Sequence, residues 1–322
     1  MRKALVVGID DYPNCELNCC VNDALAIENV IDRNGDGSPN FAVEKMINVE
    51  KRGKLLGEIK KLFEGDCETA LFYFSGHGYI DELGGYIVTP DFSENEMGIS
   101  MNDILNLANS SKIKNKIIIL DCCHAGAISS SKLNDNNVSV IAEGVSILTA
   151  CREKEVSVET MGHGIFTTLL IEALKGGAAN INGQITPGSV YAYIDQALGP
   201  WDQRPVFKTN VTEFNVIKEV TPQVPVNIIR NLTKYFNNPE DEYHLDPSYE
   251  DTNSRDIKHE IIEPYAKEEN VAVFKELQKL EGVGLIVPVN EEHMYYAAMH
   301  SKACKLTALG LHYWNLVKNN KI

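Results

Sequence analysis

Two apolar runs of strand length dominate the chain: LFYF within TALFYFSGHG (69–78) and IIIL within NKIIILDCCHAG (115–126). Each stops abruptly at glycine, histidine or cysteine. A strand that is apolar on both faces has no side to give to water, so it belongs in the centre of a sheet covered above and below. Around these runs, strand and helix patterns alternate. KALVVGI (3–9), 42–48 and VSILTACRE (145–153) read as strands, and 211–217 as the last one. Helical spacing appears over 22–33, with Asn22 or Asp23 as N-cap, and over 51–64 through Leu55, Leu56, Ile59 and Leu62. Further helices fit 101–109, 164–175 and 187–198. Such alternation builds a mainly parallel sheet with helices on both faces. Ligands of these sheets sit beyond the carboxyl ends of the strands. His77 and Cys123 each lie just past the end of a central strand, so the periodicity predicts that they share one edge.

Those two residues carry the chemistry the sequence offers. In CCHAG a thiol follows a strand end beside small residues, where backbone N–H groups can stabilise a thiolate or an oxyanion. Taken singly, Cys123 reads as a small buried hydrophobe and His77 as a capping or core histidine. The glycines flanking His77 weaken that reading, because they let a substrate backbone approach. A Cys and a His at one sheet edge favour nucleophilic catalysis.

Charge and cysteine usage narrow the alternatives. The net charge of −15 disfavours non-specific nucleic-acid binding and anionic membranes, and suits a protein that acts on basic segments. No apolar run approaches the length of a membrane span, and MRKALVVGID reads as a first strand rather than a signal peptide. Eight cysteines without an export signal point to reduced thiols and a cytoplasmic location. The C-x3-C-C and C-C spacings are not those of tetrahedral zinc sites, and no metal or other cofactor is expected.

FSGHG followed by DCCHAG resembles the His/Cys pair of the caspase-like peptidases, in the D-x-C-H-x-G form of metacaspases and prokaryotic caspase homologues. CVNDA (20–24), ILTACRE (147–153), GHGIFTTLLIEAL (162–174) and QRPVFKTN (203–210) extend the likeness over about 1–218. The resemblance implies a caspase-like α/β fold with a six-stranded, mainly parallel sheet. It implies a cysteine endopeptidase with Cys123 as nucleophile, His77 as general base and acid, and the N–H groups of Gly78 and Cys123 as oxyanion hole. Cys122 fills the variable position of the motif, and strand alternation turns it away from Asp121 and Cys123. His124 is too close in sequence to Cys123 to serve as base, and His163 reads as structural. The animal-caspase Q-A-C-x-G is absent. The metacaspase-like pattern implies cleavage after Arg or Lys, with Asp23 and Asp121 lining the primary pocket. Without the resemblance, Asp23 is a helix N-cap. Many metacaspases use calcium, but a matching acidic pair would fall at Asn102-Asp103, where one carboxylate is missing. Asp81, Glu82, Asp91, Glu94 and Glu96 read as solvated loop charges. Self-cleavage is expected at Lys132, in the polar stretch SSSKLNDNN (129–137). Prokaryotic relatives connect such enzymes with stress or antiviral defence.

A boundary is expected near 218, before TPQVP and the acidic, loop-like NNPEDEYHLDPSYEDTNSRD (237–256). Beyond it come a helix over 268–281, EGVGLIVPV and HMYYAAM as paired strands, and a final helix in LTALGLHYWNLVKNN. Residues 219–322 therefore read as a linker and a smaller, winged-helix-like α+β module. Residues 219–322 hold 11 Lys+Arg against 16 Asp+Glu, so a regulatory protein partner is expected there rather than nucleic acid, despite Lys302, Lys305, Lys318 and Lys321. Tyr295, Tyr296, Tyr313 and Trp314 read as core. A monomer is expected. The competing functions are a catalytically silent caspase-like signalling adaptor and a nucleic-acid-binding regulator acting through the C-terminal module.

Overall fold

The structure is a computed structural model. It describes residues 1–82, 84–93, 96–122, 140–150, 159–160, 163–198, 205–212, 215–252, 257–263 and 265–322. Two compact units are present, Met1–Thr221 and Pro222–Ile322.

The first unit is built on a six-stranded sheet. Its strands are β1 (Arg2–Gly8), β2 (Ala42–Ile47), β3 (Thr69–Ser75), β7 (Asn115–Asp121), β8 (Val145–Thr149) and β9 (Val206–Asn210). They lie in the order β9-β8-β7-β3-β1-β2, all parallel except β9, which runs antiparallel to β8. The two apolar runs are β3 and β7, every residue of both is buried, and they are neighbours. Alternation along them feeds two cores. Phe72, Phe74, Ile118, Leu120 and Cys122 face α2 (Arg52–Phe63) and α3 (Met101–Ser110). Leu71, Tyr73, Ile117 and Ile119 face α1 (Cys20–Ile31), α4 (Ile165–Glu172) and α5 (Pro187–Leu198). Full burial of one such side chain is worth about 1.5–3 kcal/mol, so these two strands carry a large share of the packing energy.

The register aligns the carboxyl ends. Gly8 pairs with Ser75, and Ser75 with Asp121. One row across three strands therefore launches three segments from one edge: the 9–19 loop, the His77 turn and the segment after Asp121. A Cβ on Gly8 would lie 2.3 Å from the Cys20 carbonyl oxygen, so glycine there lets α1 start directly against the end of β1.

The helix starts differ from the sequence expectation. α1 begins at Cys20, and its cap comes from outside the helix: Asp10 accepts the N–H groups of Cys20 at 2.9 Å and Val21 at 3.2 Å. Asp23 lies inside the first turn and is not the cap, and neither is Asn22. α2 uses the same device, with the Asp91 carboxylate accepting the Arg52 N–H. Both caps satisfy orphan donors and place negative charge at the positive end of a helix, from residues too distant for a local motif to reveal.

Three further expectations need correction. Residues 211–217 do not form the last strand of the sheet; that is β9, in a segment noted only for its likeness to a family, and the short strand Lys218–Glu219 after it pairs antiparallel with Gln184–Ile185 outside the sheet. The Val216 and Ile217 carbonyls are taken by the Arg2 guanidinium, and Ile217 also by Asn40, while the Ile217 N–H donates to the Ile185 carbonyl at 2.7 Å. Between β3 and α3 a second, antiparallel sheet forms from β4 (Gly78–Ile80), β5 (Gly85–Ser93) and β6 (Glu96–Ser100), where no strands were expected. HMYYAAM is not a strand: Met294–Met299 is helical, with Met294, Ala297 and Ala298 buried together at helical spacing.

The second unit contains α6 (Val226–Arg230), α7 (Leu232–Tyr235), β10 (Glu242–His244), α8 (Glu268–Gly282), β11 (Ile286–Val289), α9 (Met294–Met299), β12 (Ala303–Leu306) and α10 (Ala308–Lys318). Its antiparallel sheet runs β10-β12-β11. β10 lies within the acidic stretch expected to be a loop, so that segment belongs to the fold. Trp314 is buried and donates its indole N–H to the Phe236 carbonyl at 2.7 Å, while Tyr296 is partly exposed rather than core.

Candidate active site

The loop after β1 shapes the surroundings of His77. The Asp10 carbonyl accepts the N–H groups of Tyr12 and Leu17, which folds the loop inward. Tyr12 is thereby buried, and its hydroxyl accepts the His77 N–H at 3.1 Å while donating to the Val88 carbonyl at 3.2 Å. Its ring meets the imidazole edge-on, with centroids 4.6 Å apart. The His77 Nε2 lies 2.7 Å from the Cys15 carbonyl oxygen. A carbonyl only accepts, so Nε2 carries the proton and Nδ1 is left as the basic nitrogen.

Gly78 opens β4, an edge strand of the small sheet. The Val88 N–H bonds to the His77 carbonyl, and the Asp81 N–H to the Gly84 carbonyl. Ladder bonds alternate along an antiparallel pair, so Gly78 falls at a non-bonded position and its N–H points away from β5.

Asp121 and Asp23 converge a short way along the same edge. Asp23 is 1% exposed, and its Oδ2 accepts from the Ser75 hydroxyl at 3.2 Å and the Gly164 N–H at 3.5 Å. Asp121 is 6% exposed, and its Oδ2 accepts from the Thr167 hydroxyl at 2.5 Å. A Cβ on Gly164 would fall 2.9 Å from the Asp121 Oδ2 and 3.6 Å from the Asp23 Oδ2, so glycine is what leaves both carboxylates room. Burial pushes the Asp121 carboxyl up to about 7, the Thr167 hydroxyl opposes the rise, and the Asp23 charge adds to it. Neither group acting on that carboxyl is a cation. The arrangement brings two desolvated acids together, and a cationic side chain entering beside them would relieve their repulsion.

Cys122 is 1% exposed and packs in the α2/α3 core, on the face opposite Asp121. The expected nucleophile Cys123, its neighbour His124 and the expected cleavage site Lys132 lie outside the described residues. Four site residues were not singled out from the sequence. Cys20 lies one helical turn before Asp23, its thiol pushed well above the usual range by burial and bonded to Ser75. Thr167, Ser75 and Tyr73 supply hydroxyls. The motif CVNDA and the parity of β3, in which residues 71, 73 and 75 share a face, were the available signals for Cys20, Ser75 and Tyr73. Among the described residues, no group of three or more His, Cys, Asp or Glu is placed to hold a metal ion, and no helix is long and apolar enough to cross a membrane.

The caspase domain family model matches residues 1–222. Among solved structures, a protein from Geobacter sulfurreducens is similar with a TM-score of 0.50 and 17% identity, over 68% of this chain and 99% of its own. Caspase-1 from Spodoptera frugiperda is similar with a TM-score of 0.50 and 13% identity, over 68% of this chain and 90% of its own. At such identities the likeness is one of fold. No curated protein matches the chain.

Proposed function

The chain belongs to the caspase-domain family of cysteine peptidases, and on that premise we propose that it is an endopeptidase cleaving after Arg or Lys through a His77/Cys123 dyad. The observation that carries the specificity is the buried pair Asp23 and Asp121, converging beneath Gly164 on the edge that bears His77. A guanidinium entering there would meet two carboxylates and suits bidentate pairing, whereas Lys brings a point charge. An Asp side chain would add a third negative charge and is excluded.

In this reading the His77 Nδ1 takes the proton of the Cys123 thiol, and the sulfur attacks the carbonyl carbon of the scissile bond. The N–H groups of Gly78 and Cys123 receive the oxyanion. On collapse the C–N bond breaks, and the leaving amine takes the proton from His77. A thioester remains. Water, deprotonated by His77, then attacks that thioester, and the acid product leaves as the thiol is restored. The Cys15 carbonyl and the Tyr12 ring support this role by fixing the tautomer and plane of His77.

Self-cleavage at Lys132 extends the same basic specificity to the chain itself. For the second unit we favour a winged-helix-like regulatory module that binds a protein partner. Its sheet order of first, third, second strand supports this, as does the long α8 between the first two strands. The excess of 16 acidic over 11 basic residues in 219–322 argues for protein rather than nucleic acid.

The test is labelling and turnover. A peptidyl-Arg electrophile should react at Cys123 in the wild type and not in Cys123→Ala. Fluorogenic Arg peptides should be cleaved far faster than matched Asp peptides. Wild-type protein that binds neither probe and cleaves neither peptide would instead identify a silent adaptor.

A further inference from the structure

Behind Asp121 lies a short chain of buried hydroxyls. The Tyr73 hydroxyl is 2.6 Å from the Thr167 Oγ1, which is 2.5 Å from the Asp121 Oδ2. Tyr73 and Thr167 are both fully buried. The polarity of the chain follows from chemistry. A carboxylate only accepts, so Thr167 spends its single proton on Asp121, and its lone pairs are left to receive the Tyr73 O–H. Tyr73 can hold that end because burial, together with the neighbouring Asp121 and Asp23 charges, keeps its phenol protonated. On the same face of β3, two residues on, Ser75 donates to Asp23. Each acid of the pair thus has its own hydroxyl donor: Ser75, bonded also to Cys20, on Asp23, and Thr167, backed by the Tyr73 phenol, on Asp121.

We propose that Thr167, backed by Tyr73, is a positioning and specificity-determining residue: it holds Asp121 oriented and negatively charged to receive the basic side chain of the substrate. This rests on the Arg/Lys reading given above. Among the described residues, the titratable groups interacting with Asp121 are Cys20 and Asp23 from α1 and Tyr73 from β3; Cys20 and Tyr73 stay protonated and neutral, so what disfavours the Asp121 charge is its burial and the charge of Asp23. Thr167, from α4, is the side chain that opposes them. A donor chain ending on the carboxylate stabilises its charged form, and hydrogen bonds in a dry site polarise one another. Without the Thr167 hydroxyl the Asp121 midpoint would lie above 7, and the acid would keep its proton through the neutral range in which it now ionises.

The experiment compares full-length wild type with Thr167→Val, which keeps the shape and loses the hydroxyl, Thr167→Ser, which keeps the hydroxyl, and Tyr73→Phe. Aspartate labelled with carbon-13 in the carboxyl group reports the titration of Asp121, assigned by the signal missing from Asp121→Asn. A fluorogenic Arg peptide reports KM and kcat from pH 6 to 9. In Thr167→Val the Asp121 midpoint is expected to rise by about one pH unit, and KM at pH 7 by about tenfold, with kcat little changed. The KM difference narrows toward pH 9, where Asp121 ionises even without its donor. Thr167→Ser restores both readouts, and Tyr73→Phe moves them less in the same direction. A purely structural role would lower the unfolding temperature and depress turnover equally at every pH. An unchanged Asp121 midpoint in Thr167→Val overturns the relay. A shifted midpoint in a wild type that cleaves after Arg no better than after Asp overturns the basic pocket, and with it the specificity role, while the relay's effect on charge stands.

Discussion

Adjacent residues on opposite faces show how much a single strand decides. Cys122 continues the Ile118 and Leu120 face into the α2/α3 core, and Asp121 the Ile117 and Ile119 face. Cys123→Ala should abolish Arg-peptide turnover. Cys122→Ala should retain much of it while losing stability, on the order of 1 kcal/mol for a small buried group; kinetics and urea unfolding of the two variants check both halves. Asp121 carries a second residue-scale consequence. Its carboxyl titrates at about 7 in the folded protein against 3.8 in its ordinary state. Between those values the folded chain holds a proton that the unfolded chain has released, so stability falls as pH rises from about 4 through 7, by on the order of a few kcal/mol. Asp121→Asn should flatten that slope and raise the unfolding temperature at pH 8, while cutting Arg-peptide cleavage more than tenfold. An unaltered stability–pH curve in Asp121→Asn would contradict the charge assignment. The position of His77 and the opposite faces of Asp121 and Cys122 were legible from apolar runs and parity. Thr167 was not: it meets Asp121 from 46 positions away and Tyr73 from 94, and no local pattern encodes such contacts.

At the scale of elements, α1 does two jobs at one end. Its first turn carries Asp23 and Cys20, and its start is fixed by Asp10 from the loop that also presents the Cys15 carbonyl to His77. Local sequence favoured Asp23 as the cap, because an acid near a helix start is the commonest signal of one. The actual cap, Asp10, lies thirteen residues before Asp23, which leaves the Asp23 carboxylate to accept from Ser75 and Gly164. Asp10→Ala should cost about 0.5–2 kcal/mol in stability, the usual loss for a cap. It should also slow Arg-peptide cleavage beyond what that loss explains at a temperature where the variant stays folded. Asp10→Asn keeps the acceptor oxygen and should recover much of both; thermal melts paired with kcat/KM measurements decide. The strands read correctly are those with continuous apolar runs. β9 escaped because it is a short edge strand whose residues are exposed or half-buried, including Lys208, Thr209 and Asn210. Edge strands are kept polar to discourage pairing with other chains, which erases the signal by which strands are found. α9 was misread because its paired tyrosines favour strands in composition, whereas Met294, Ala297 and Ala298 bury at helical spacing.

For the molecule as a whole, the division into Met1–Thr221 and Pro222–Ile322 makes a direct test available. A fragment of residues 1–221 should be soluble and folded, with a cooperative melt, and should still label with a peptidyl-Arg electrophile. A folded fragment that no longer labels would make the second unit part of the catalytic apparatus. Within the first unit, the closing contacts join its two ends. Arg2 binds the carbonyls of Val216 and Ile217, Asn40 also binds Ile217, and Lys218 donates to the Val30 carbonyl at 2.5 Å. These contacts span 177 to 215 positions of chain. A ribosome adds about 5–20 residues per second. Strands β1, β2 and β3 therefore emerge roughly seven seconds or more before the segment that fastens them arrives. During that interval the nascent chain has an unfinished sheet with an open edge, and the contacts at 216–218 that complete the peptidase unit come last. A peptidase that cleaves at Lys132 in its own chain, as proposed above, would gain from that order. It is completed only when nearly all of its catalytic unit has been made, which shortens the time in which a competent site stands beside an unfolded copy of itself.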